Sequence, residues 1–178
     1  MAVVYFEYDG NKYNIVKNQV YDEGFLLVQG ELASNILSAY NQTIDYTKFT
    51  EVERVNFIKE LKDAGQYTYC IKVGLYEMEH VIDQDCVFSV APIITSCYRA
   101  ISKPQAAIDF YNQYRNVPGC FKNGALFTSV GAAYADLEDY DNAYKFANIA
   151  CAIHRSNNND PPELIGLYSR LKKETGKY

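Results

Sequence analysis

The chain has 178 residues, 48% of them apolar, a formal net charge of −5 and a pI of about 5.1. That apolar content argues against a disordered chain, and the length suits one domain or a short repeat array. The acidic balance disfavours a non-specific nucleic-acid binder, and no run approaches the roughly 18 apolar residues that mark a membrane span. Ten Gly and five Pro favour helices over a turn-rich β architecture. The 17 Tyr suit half-buried helix ridges, with the ring packed and the hydroxyl wet. Five cysteines without a CxxC pair read as reduced, mostly buried thiols. With no secretory leader visible, a cytoplasmic protein is expected, and the sequon at Asn41 carries no meaning.

In chain order, VVYFEY and NKYNIV flank Asp9-Gly10, a pair that predicts a tight β-hairpin. Val4, Phe6 and Tyr8 share one face, as do Tyr13 and Ile15, and Phe25–Val28 is read as a third strand or an extended lid. Residues 1–30 thus form a small β element. From 31 to 178 the chain reads as helical. Leu32, Ile36, Leu37 and Tyr40 mark a helix over 31–41, and 41–50 is a loop. Thr50 and Glu53 form a capping box for a helix that ends at Ala64-Gly65. Residues 66–82 are read as a helix, with a strand over 67–73 as the alternative because Tyr67, Tyr69, Ile71 and Val73 alternate. Asp83–Val87 is a connector. Pro92 to Ile101 belongs to the next helix, and Pro104 stands in the first turn of the one after it. Asn116–Gly124 is a loop, Ser156–Pro162 a polar break, and Glu163–Thr175 a last helix.

The stretch from Phe127 to Ala150 is the most patterned. Phe127, Val130-Gly131 and Tyr134 mark one helix, Leu137–Tyr140 a corner, and Ala143, Ala147 and Ala150 a second helix. Its spacing resembles the tetratricopeptide repeat. Similar corners recur at Gly65-Gln66-Tyr67, Ser102-Lys103-Pro104 and Gly176-Lys177-Tyr178, so their third residues lie 37, 36 and 38 positions apart. Cys70, Ala107 and Ala143 open the second helices in register. Arg54 departs from the pattern by standing where Phe127 places an aromatic. The resemblance implies a mainly α protein: a short α-solenoid of about three and a half helical hairpins behind the N-terminal β-hairpin. Its repeats span about 51–82, 88–115 and 124–154, with a half repeat at 163–178.

No nucleophile elbow, phosphate loop or HExxH motif appears, so no enzyme, cofactor or metal is expected. Cys151 and His154 lie one turn apart and read as a buried thiol beside a surface imidazole. Glu77, Glu79, Asp83 and Asp85 near His80 read as a solvated helix end. In the resembled family the first helix of each pair lines a groove. Transferred here, that surface carries Val55, Lys59 and Lys62, then Ser96 and Arg99. Thr128, Ala132, Ala135 and Asp136 follow, then Arg170 and Lys173. The family's chaperone-binding clamp uses an Asn pair that is absent here. A mostly basic rim on an acidic protein implies a protein or peptide partner bearing acidic groups. The alternative is a nucleic-acid-associated accessory protein using the same rim. The stripe Leu164, Leu167, Tyr168 and Leu171, with no helix after it, implies docking or a homodimer through the C-terminal face.

Overall fold

A computed structural model describes residues 3–156 and 161–176, so Met1-Ala2, most of the polar break and the final Lys177-Tyr178 lie outside the described residues. Asp9 and Gly10 both take positive φ (51° and 75°), as a two-residue hairpin turn requires. β1 (Val4–Tyr8) therefore returns as antiparallel β2 (Asn11–Val16), with Val4 opposite Ile15 and Phe6 opposite Tyr13. Lys17 and Asn18 make a second such turn (φ 49° and 56°) into β3 (Gln19–Tyr21). The third strand thus precedes the Asp22–Gly24 turn. Phe25 takes φ 59°, which interrupts the extended run, and that run adds only a Tyr21–Leu27 bridge.

α1 (Gly30–Gln42) packs on this sheet. Its Ile36 and Leu37 share a core with Tyr13, Ile15 and Val20, and Tyr40 meets Phe6 edge-on at 5.6 Å. The N-terminal unit is therefore three strands and a helix with a core of their own.

Seven further helices follow: α2 (Glu51–Asp63), α3 (Tyr67–His80), α4 (Gln84–Ala100), α5 (Pro104–Tyr114), α6 (Gly124–Asp136), α7 (Tyr140–Ser156) and α8 (Pro162–Thr175). The protein is mainly helical with a small N-terminal sheet. The capping box before α2 forms, Thr50 Oγ1 accepting from Glu53 N–H and the Glu53 carboxylate accepting from Thr50 N–H. Residues 67–73 are helix, which settles the alternation of Tyr67, Tyr69, Ile71 and Val73 against a strand. α4 starts well before Pro92, because Asp83 caps it by accepting from Asp85 N–H at 2.9 Å. Most of the expected connector is therefore helix, and Pro92 lies inside it.

From α2 onward each helix packs on the next, and α2, α4, α6 and α8 also contact one another in that order. They form one row, and α3, α5 and α7 each bridge two of its members. Close approach depends on small residues. Gly131, Ala143, Ala147 and Ala150 are buried between α6 and α7, and a Cβ on Gly74 would stand 2.7 Å from Ile94 Cγ1. The apolar stripe of α8 is not left open. Leu164, Leu167 and Leu171 are buried in one cluster with Ala143, Ala147 and Ala150 of α7. The expected homodimer face loses its basis, since Ile165 is the one large apolar residue of α8 left exposed among the described residues. No described helix is long and apolar enough to cross a membrane.

Candidate functional site

Helical periodicity places Ser96 and Arg99 on one face of α4, Thr128 and Ala132 on one face of α6, and Gly166 and Arg170 on one face of α8. Because these helices share a row, the three faces meet in a cleft of about 550 Å³, joined at one end by Lys62 of α2. Five of the eight polar residues expected in the groove line it: Lys62, Ser96, Arg99, Thr128 and Arg170. Asp136 lies beside it, in an adjoining hollow that also takes in Ser96 and Arg99. Lys59 and Lys173 are exposed but do not line the cleft, while Val55 and Ala135 are buried in the core. Ala132 does line it.

The basic rim is partly neutralised from within. Arg99 Nε donates to Asp136 Oδ2 at 2.7 Å, and Arg170 donates to Asp136 Oδ1 at 2.5 Å and to the Ala135 carbonyl at 2.9 Å. Burial works to raise the Asp136 pKa, but hydrogen bonds and charge from Arg99 and Arg170 outweigh it and hold the carboxyl below its ordinary 3.8. One carboxylate thus ties α4, α6 and α8 together and leaves a net positive charge on the trio. Lys62 makes no ion pair among the described residues. Thr128 and Ser96 spend their hydroxyl protons on the Gly124 and Ile93 carbonyls, at 2.9 and 3.2 Å. They offer a ligand acceptor lone pairs only.

The cleft also contains a residue that the groove pattern does not include. His154, read from sequence as a surface imidazole, is only 9% exposed and lines the cleft, whereas Cys151 is the half-buried member of that pair. The signal was present in the sequence: Ala143, Ala147, Ala150 and His154 recur at helical spacing on the buried stripe of α7. Pro92, Ile93 and Leu167 supply apolar wall.

The acidic cluster near His80 disperses. Glu77 turns into the core, while His80 donates to the Tyr76 carbonyl at 2.7 Å and stacks on its ring. Glu51, Asp83 and Cys86 do approach one another. The Glu51 carboxylate, however, accepts from Ile82 and Asp83 N–H at 2.8 and 3.1 Å, and burial followed by nearby carboxylates pushes the Cys86 thiol up. That group serves as the N-terminal cap of α4.

No protein-family model, curated protein or solved structure matches the chain.

Proposed function

We propose that the chain is a non-enzymatic scaffold of tetratricopeptide-like helical hairpins that binds an acidic segment of a partner protein in the cleft between α4, α6 and α8. The observation that carries this reading is the cleft itself, where one face from each of three helices converges below Lys62, Arg99 and Arg170. The short α-solenoid rests on the helix row and on left-handed corners at Gly65, Ser102 and Glu138, which repeat with the period of the sequence. Nucleic acid is the weaker reading, because Asp136 breaks the continuity of the basic stripe.

Peptide display against the wild-type protein tests the proposal. Enrichment of Asp- and Glu-rich sequences is expected. Binding of those peptides should fall at least tenfold in Lys62→Glu and in Ala125→Trp, which fills the cleft from an exposed position. Enrichment without acidic bias, or undiminished binding to both variants, overturns it.

A further inference from the structure

One buried polar atom of a cleft-lining residue has nothing to bond among the described residues. His154 Nε2 is buried and has no hydrogen-bond partner among the described residues, an arrangement that native interiors seldom tolerate. The fold nevertheless makes room for this ring. Gly124 opens α6 directly against it, and a Cβ there would stand 2.6 Å from Nε2. An apolar side chain on the same stripe, continuing Ala143, Ala147 and Ala150, would leave no such orphan.

The cleft therefore has two unlike ends. Arg99 and Arg170 meet Asp136 at the C-terminal end of α6, and Lys62 stands in the last turn of α2. His154 lies against the first turn of α6, beside Ala125. From Ala125 to Asp136 the axial rise is roughly 16 Å at about 1.5 Å per residue. An extended peptide advances about 3.3 Å per residue, so about five residues cover that distance.

We infer that the cleft reads an extended peptide at two points. One acidic side chain faces Lys62, Arg99 and Arg170, and a second carboxylate, about five residues away, accepts a hydrogen bond from His154 Nε2–H. This rests on the acidic-peptide reading above and adds a spacing rule and a residue that enforces it. The imidazole donates from the tautomer protonated at Nε2, so the bond needs no net proton transfer.

The probes are acetyl-Glu-(Ala)n-Asp-amide peptides with n from 1 to 6, each also made with Gln or Asn in place of either acid. Affinity for the wild-type protein is expected to peak near n of 4, where the two acids are about five residues apart. Replacing either acid should weaken binding about tenfold. In His154→Leu the dependence on the acid facing His154 and on n should disappear, while dependence on the other acid persists. The chain has two histidines, so imidazole NMR of the wild-type protein gives a readout that needs no variant. His154 should shift on titration and His80 should not. Binding that depends on Lys62 but moves neither the His154 resonance nor the spacing preference overturns this inference and leaves the proposed function standing. If no peptide binds at any spacing, the acidic-peptide reading itself fails.

Discussion

Arg54 lies inside the α2–α3 pair, its side chain 8% exposed against a fully buried Glu77. The guanidinium donates to the Glu77 carboxylate and to the Phe49 carbonyl, and sits 5.6 Å from the centre of the Tyr76 ring. Here a charged pair does what an aromatic does at the equivalent Phe127. Glu77 Oε1 has no partner among the described residues, so the pair is incompletely satisfied even when intact. Removing the arginine alone would strand a buried carboxylate. Arg54→Met is expected to destabilise the protein by about 3–5 kcal/mol, and Arg54→Met with Glu77→Leu to recover most of that, as read by urea denaturation. The sequence marked Arg54 as a departure from the repeat but left its partner unnamed. Glu77 sits 23 positions away on another helix, and periodicity describes one helix at a time. His154 shows the converse. Its burial was legible from the alanine stripe of α7, yet its missing partner was not, since that depends on what α6 presents across the gap.

The corners between helices share a conformation that the sequence spacing follows. Gly65, Ser102 and Glu138 take φ of 71°, 58° and 61°. Each is followed by a residue whose N–H reaches back to Leu61, Tyr98 or Tyr134, the paired-bond ending that closes many helices. Only the first is a glycine, so the recurring feature is a conformation rather than a residue type. The start of α4 was harder to see, because a proline inside a helix ordinarily argues for a boundary. Pro92 cannot donate to the Phe88 carbonyl. Asn123 supplies the missing bond through Nδ2 at 2.8 Å while its Oδ1 caps α6 by accepting from Leu126 N–H at 3.1 Å. Asn123→Ala should therefore cost about 2–3 kcal/mol, from the lost cap together with the orphaned carbonyl. In a Pro92→Ala background residue 92 can donate to Phe88, and the same change should cost only about 1 kcal/mol. A urea-denaturation double-mutant cycle giving no coupling would show that Asn123 and Pro92 act independently.

Across the whole molecule, the Arg99–Asp136–Arg170 trio joins residues separated by 37 and 34 positions, close to one repeat apart on each side. The row of α4, α6 and α8 therefore brings charges from three helices to one level. From sequence they read as a mostly basic rim, because Asp136 looks like a neighbour rather than their shared partner. The trio also sets the geometry of the cleft, since it fixes α4 and α8 against α6. The folded-state pKa of Asp136 lies below its ordinary value of 3.8. Its contribution to stability is accordingly complete above that value and lost as pH falls through the lower folded value. Asp136→Asn should be less stable than wild type near neutral pH, by a gap that holds down to about 3.8 and closes in stronger acid. Unfolding midpoints measured for both proteins across the acid range test this. A gap that is constant with pH would mean that the carboxylate's charge does not hold the three helices together.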